Sequence, residues 1–367
     1  MAPLISFYVI ACNQERLVSQ AIASAFAQTW TPLEIVLSDD CSDDRTFEVM
    51  QDLAGTYVGP HSIVINRNRQ RLGVGAHINR VLQLSKGDWI VASAGDDVSL
   101  PERTKTLYSL WELAGKRHGL LYSNLVETHE DGSVWYSRDF RKEVPGGWEG
   151  EELSWDWRER LLGRCPPVHG ASFAYPRRTL DDFGLLWDGV VFEDNIFNWR
   201  AELSGGVLLC PDYLVRHRNH SGQFTNLYSK QALIDADNRR RKLRWSNVVT
   251  FRQNLADANI ALANGFIDRS TFNSAARHLA QQVRAAELDY ELFWGSIVTR
   301  WRILLSDFTS LLGRKRLTEL LFAALPRPLY LIALRAVAAQ RSMFPSCSGW
   351  KCKPNPSRTT GGPGAST

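Results

Sequence analysis

Short Ile- and Val-rich runs alternate with helical periodicities along the first hundred residues, and no other feature narrows the fold as far. Runs at residues 5–11, 33–38, 62–66 and 89–93 read as strands. Between them, residues 14–28 follow Asn13, a good helix N-cap, and residues 44–53 follow Ser42-Asp43. Residues 75–85 carry Ile78, Val81 and Leu82 on one face and stop at Gly87. Ser99 with Glu102 resembles a capping box that opens a fourth helix to about Leu113. Such alternation predicts an α/β domain with a mainly parallel sheet and helices on both faces.

The pattern breaks from Val126 to Cys165, a loop-rich stretch with Trp135, Trp148, Trp155 and Trp157. Short strands return near residues 171–174 and 206–209, with a helical run near 196–203. Three helical periodicities follow at 233–264, 271–292 and 293–312. Three regions result: an α/β domain over residues 1–225, a helical region over 226–345 and a Gly/Pro/Ser/Thr-rich tail over 346–367, expected to be disordered. Residues 1–3 lack a basic leader and residues 4–10 read as a strand, so no signal peptide is expected.

Charge follows the same division. The chain has 367 residues and a net charge of +4, too weak to argue for nucleic acid. Residues 1–224 carry a balance of −8 and residues 225–345 one of +9. The basic clusters 239–242 and 314–316 lie in the helical part, and the second precedes an apolar stretch, 317–339, broken by Pro326-Arg327-Pro328. Its pieces are too short to cross a bilayer but suit the surface of an anionic one. Packing on the α/β domain is the competing expectation, favoured for residues 233–312. The six cysteines form no CxxC pair and no zinc spacing, so free thiols in a reducing compartment are expected.

Carboxylates cluster at the predicted strand ends, where open α/β sheets bind ligands. Asp39 and Asp40 close the second strand; they suit a nucleobase N–H and ribose hydroxyls, although Ser42 and Asp43 also cap the next helix. Ala94-Gly95-Asp96-Asp97 closes the fourth, and adjacent carboxylates call for a divalent cation such as Mg²⁺ or Mn²⁺. Glu193-Asp194 opens a helix, as a general base or as ordinary acids at a helix N-terminus. The run Arg216-His217-Arg218-Asn219-His220-Ser221 suits a diphosphate, a metal–phosphate site or a solvated basic turn. Gly73-Val74-Gly75-Ala76 lacks the third glycine of a dinucleotide fingerprint, Ile78 standing in its place, and reads as a helix start.

In order and spacing these sites resemble family 2 glycosyltransferases of the GT-A fold. The resemblance covers residues 3–103 and 165–225. Residues 11–15 resemble the family's TYNE segment, 25–30 its SVLAQTY run and 39–46 its DDGSTDGT motif. Residues 72–79 resemble LGxxxARN, residues 94–101 DxDD…P, and residues 192–194 the ED motif. Arg218 with His220 resembles the late R-x-H. Ala94 departs from the pattern by replacing the first acid of DxD, and Ile78 by standing where Arg often precedes Asn. The resemblance implies a GT-A sheet and transfer of a sugar, with inversion, from a nucleotide-diphosphate sugar to an acceptor hydroxyl on a glycan or lipid-linked glycan. It implies donor contacts from Asn13, Glu15, Asp39, Asp40, Gly73, Asn79, Asp96 and Arg218, and Mn²⁺ or Mg²⁺ on Asp96, Asp97 and His220. Asp194 is implied as the base, with Glu193 second, in cell-envelope polysaccharide synthesis at the cytoplasmic face of the membrane. A nucleotidyltransferase of similar fold and an inactive nucleotide- or glycan-binding module are the alternatives.

Overall fold

The computed structural model describes residues 2–144, 154–161, 165, 169–220, 223, 235–312 and 325. The chain divides into two compact units, Met1–Ile303 and Leu304–Thr367. The sheet, its helices and the candidate site all lie in the first.

Four strands form the predicted parallel half of the sheet: β1 (Ile5–Ala11), β2 (Leu33–Asp39), β3 (Ser62–Arg67) and β4 (Trp89–Ala94). β1, β2 and β4 are buried almost throughout, as unbroken apolar runs require when helices cover both faces. β3 is the edge and is partly exposed. The rest of the sheet contains β5 (Val98–Ser99), β6 (Leu120–Thr128), β7 (Val134–Arg138), β8 (Ser154–Trp155), β9 (Ala174–Pro176) and β10 (Val207–Arg218). The strand order is β3-β2-β1-β4-β9-β6-β10-β5, with β7 on β6 and β8 on β10. β9 runs antiparallel to both β4 and β6 and joins the two parallel halves. This is the mixed α/β arrangement of the GT-A class.

The helices α1 (Val18–Phe26), α2 (Thr46–Gly55), α3 (Val74–Leu84) and α4 (Arg103–Leu113) cover the first half. Ile78, Val81 and Leu82 of α3 are buried in one core cluster with Tyr8, Val36 and Ile90. The opposite face buries Val18, Ala21 and Ile22 of α1 against Ile5, Phe7 and Val9. The short α5 (Trp157–Leu161) and α6 (Arg178–Asp181) precede α7 (Glu193–Ser204). Then come α8 (Asp235–Ala263), α9 (Arg269–Trp294) and α10 (Ile297–Leu312). α8 and α9 pack onto the α/β part within the first unit: Trp199 and Leu203 of α7 share a core with Ala258, Ala261, Ala275 and Leu279. The buried Arg200–Asp257 pair, 2.8 Å, joins α7 to α8. Arg241 of the basic cluster donates to Tyr290 Oη. The second cluster, 314–316, and the apolar stretch after it lie outside the described residues, apart from residue 325. None of the described helices is long and apolar enough to cross a membrane.

Local expectations shifted in two places. Asn13 does not cap α1, which starts at Val18; its backbone is left-handed (φ 55°), and its Oδ1 accepts from Asp43 N–H at 2.9 Å. β10 is far longer than the strand expected near 206–209, because it absorbs Pro211 at an irregular register between Cys210 and Tyr213.

The tryptophans divide by exposure. Trp155 is 4% exposed and donates to Glu202 Oε1 at 3.0 Å, whereas Trp135 on β7 is 58% exposed and stacks on His129. Trp148 lies outside the described residues. Trp155→Ala is therefore expected to cost about 3–5 kcal/mol of stability. Trp135→Ala should leave the unfolding midpoint in urea unchanged, and the two midpoints measured side by side check the division.

Candidate active site

The carboxyl ends of β2, β4 and β10 converge through their loops. At the end of β2, Asp39 accepts from Ser42 N–H at 2.9 Å and from Ser42 Oγ, and faces Arg67 Nε at 3.5 Å. The buried Asp40 accepts from Asn68 Nδ2 at 2.9 Å, Leu72 N–H at 2.8 Å and Gly73 N–H at 2.9 Å. Asp40 thus fixes the entry to α3, where Gly73 takes φ +81°, a region that a β-carbon disfavours. Glu15 accepts from Arg45 N–H at 3.1 Å. With Asn13 on Asp43, it cross-links the loops after β1 and β2. Asn79 is placed differently. Its amide donates to Leu186 C=O at 2.8 Å and accepts from Leu186 N–H at 3.0 Å. It ties α3 to the segment before α7 rather than meeting the carboxylates at the strand ends.

At the end of β4, Gly95 is required by space: a β-carbon there would lie 2.6 Å from Ala11 Cβ. The next two residues turn to the end of β10. Asp96 Oδ2 lies 2.9 Å from His220 Nε2, and Asp97 Oδ1 accepts from Arg218 N–H at 3.1 Å. Burial pushes the Asp97 carboxyl up to about 7; His217 opposes this and Asp96 adds to it. Arg218 is 3% exposed and donates through Nη2 to Gln20 Oε1 at 2.6 Å. Its Nε and Nη1 are buried without an acceptor among the described residues. Buried guanidinium nitrogens normally find partners, so these two donors fit an anionic ligand.

Glu193 and Asp194 form the first turn of α7 and are partly exposed. Burial, reinforced by Asp194, pushes Glu193 up to about 8. Burial raises Asp194 to about 6, opposed by the Asn195 N–H and by Arg160. A β-carbon on Gly170 would sit 3.1 Å from Glu193 Oε1, so the segment leading into β9 presses closely on this pair.

Three further groups join the site. Glu127 ends β6, His169 precedes β9 and His217 lies near the end of β10. Each offers a ligand atom, and these atoms lie within 4.8 Å of one another, a set of described residues able to hold a metal ion. His217 Nδ1 is 2.7 Å from Glu127 Oε2. Burial lowers His217, but Asp97 and Glu127 outweigh it and raise the ring to about 9. Burial, with His217 and Arg138, holds His169 down to about 3. His217 stood in the basic run already noted, but Glu127 and His169 carry no local signal. Arg103, fully buried and within reach of the Asp97 charge, is the third unforeseen residue.

Residues 6–164 match the model of the family described as "Glycosyl transferase family 2". Succinoglycan biosynthesis protein ExoO of Rhizobium meliloti is 32% identical over 130 residues, covering 35% of each chain. Chondroitin synthase of Pasteurella multocida is 26% identical over 171 residues, 47% of this chain and 16% of that protein. The chain spans about a third or less of the length of these curated relatives. The crystal structure of S. aureus TarS 1-349 in complex with UDP superposes at a TM-score of 0.51 and 14% identity. The match covers 94% of this chain and 92% of that one, a likeness of fold. Through residues 6–164 the chain is thus similar to glycosyl transferase family 2.

Proposed function

We propose that the protein transfers a glycosyl group, with inversion, from a nucleotide-diphosphate sugar to a hydroxyl of a glycan or lipid-linked glycan. The observation that carries this reading is the Asp97–Arg218 junction. A buried carboxylate is fixed by the Arg218 N–H, and the same residue holds two buried guanidinium nitrogens in want of an anion. The chain shares its fold with TarS, which was crystallised with UDP.

In this reading the loops held by Asn13, Glu15, Asp39, Asp40 and Gly73 shape the pocket for base and ribose. Asp96, Asp97 and His220 offer two hard carboxylates and an imidazole, a donor set that fits Mn²⁺ or Mg²⁺. Such an ion, when bound, supplies Lewis-acid stabilisation of the leaving diphosphate. Arg218 meets the charge that develops there.

The acceptor hydroxyl gives its proton to a carboxylate as its oxygen attacks the anomeric carbon. The bond from that carbon to the diphosphate oxygen breaks, and its electron pair leaves with the nucleotide. Near neutral pH the coupled pair shares one proton, and the higher value of Glu193, about 8 against about 6, favours the charge on Asp194. The proton therefore goes to Asp194. The neighbouring neutral acid keeps the two carboxyls from repelling each other. The exposed Trp135 and Tyr136 on β7 provide faces on which an acceptor glycan can stack. The basic cluster 314–316 and the apolar stretch 317–339 after it support a place at the cytoplasmic face of an anionic membrane.

The pocket is tested by thermal stabilisation with a panel of nucleoside diphosphates and Mn²⁺. One base should raise the melting temperature of the full chain, and Arg218→Ala should remove most of that shift. Equal stabilisation of wild type and variant would contradict the diphosphate role of Arg218.

A further inference from the structure

Outside the Asp96–His220 pair, the structure assembles a second set of metal-binding groups. Glu127, His169 and His217 come from three separate segments, all tied into the central sheet. Their ligand atoms lie within 4.8 Å of one another, and His217 Nδ1 is already 2.7 Å from Glu127 Oε2. Ligands about 2.1 Å from a tetrahedral ion stand roughly 3.4 Å apart, so small side-chain adjustments close the set. His169 Nδ1 is buried and has no hydrogen-bond partner among the described residues. Glu127 is oriented by Asn219 Nδ2 at 2.6 Å, the outer support that metal-bound carboxylates use. Arg138 Nη1, 3.7 Å from Glu127 Oε1, is the one cation paired with this carboxylate besides His217 among the described residues.

We propose that Glu127, His169 and His217 bind a single divalent transition-metal ion, distinct from any ion on Asp96 and His220. Two imidazoles and one carboxylate select Zn²⁺ or Co²⁺ over Mg²⁺ and leave a coordination position open. The site lies between the two halves of the proposed reaction. His217 adjoins Arg218, whose N–H holds Asp97, and His169 adjoins Gly170, which presses on Glu193. Metal binding here needs neither nucleotide nor acceptor, so it stands or falls separately from the transfer reading.

The test uses the chelator-stripped full chain with Co²⁺ and no nucleotide, read by visible absorption and by equilibrium dialysis. The wild type should take up about one tightly bound equivalent, with the absorption bands of four- or five-coordinate Co²⁺. His169→Ala, His217→Ala and Glu127→Gln should each weaken that uptake at least tenfold, whereas His220→Ala should retain it. Co²⁺ should also raise the melting temperature of the wild type but not of His169→Gln. This comparison separates lost metal binding from lost folding, because each protein is its own metal-free reference. No tight uptake by the wild type, or uptake and absorption unchanged in folded His169→Ala, overturns the site.

Discussion

Asp194→Asn should lower the transfer rate by about 10²–10⁴-fold while leaving nucleotide binding intact, because the amide keeps the shape of the carboxylate but takes up no proton. The pH profile adds a second readout. Burial raises Asp194 to about 6, so the base is ionised above that pH and protonated below it. The wild-type kcat/KM should therefore fall about tenfold per unit as pH drops below about 6, and the residual activity of the variant should lack that limb. Glu193 sits on the same turn and titrates with Asp194, so the two share macroscopic steps. Glu193→Gln keeps the neutral state that Glu193 holds at pH 7 and should reduce the rate far less. A Glu193→Gln variant as inactive as Asp194→Asn would move the base to Glu193.

Arg103→Met should cost about 3–5 kcal/mol of stability, since each buried acceptor left without its donor costs about 1–3 kcal/mol. The Arg103 guanidinium is fully buried at the start of α4. It donates to Ser99 Oγ at 2.8 Å, Ala92 C=O at 2.8 Å and Phe173 C=O at 3.1 Å, binding β5, β4 and the approach to β9. Its charge also favours the ionised form of Asp97. Removing it leaves three acceptors without their donor and takes one favourable charge from Asp97, which keeps His217 and the Arg218 N–H. Asp97 has a folded value near 7 against an ordinary value of 3.8, so it is protonated at pH 5 in wild type and variant alike. The loss from the missing charge should consequently be larger at pH 8 than at pH 5 in urea unfolding. Arg103→Lys should restore little, since one ammonium cannot reach acceptors that a planar fork spans.

The parallel half of the sheet was legible because a strand buried on both faces must be an unbroken apolar run, and β1, β2 and β4 are such runs. The carboxylates were legible for a related reason: Asp39, Asp40, Asp96 and Asp97 directly follow those runs, where solvent and ligands reach the strand ends. Arg103, Glu127 and His169 were not. Their roles depend on contacts with segments distant in sequence, such as His217, 90 positions from Glu127, and nothing in their immediate neighbours records those contacts. Asn79 and Asn13 show another side of this. Their motif positions suggested contacts with the donor or with a helix end, yet their amides are spent on Leu186 and Asp43. Trp155 likewise carries no local sign of its burial, since the Glu202 that accepts its indole N–H lies 47 residues away.

Metal-dependent release of nucleoside diphosphate from a broad donor panel, measured on the full chain with and without chelator, tests the proposed chemistry most directly. At least one nucleotide sugar should be turned over with Mn²⁺ or Mg²⁺, and both chelator and Asp96→Asn should abolish that turnover. Nucleotide binding with no release from any donor would contradict it and leave a nucleotide-binding module in place of a transferase.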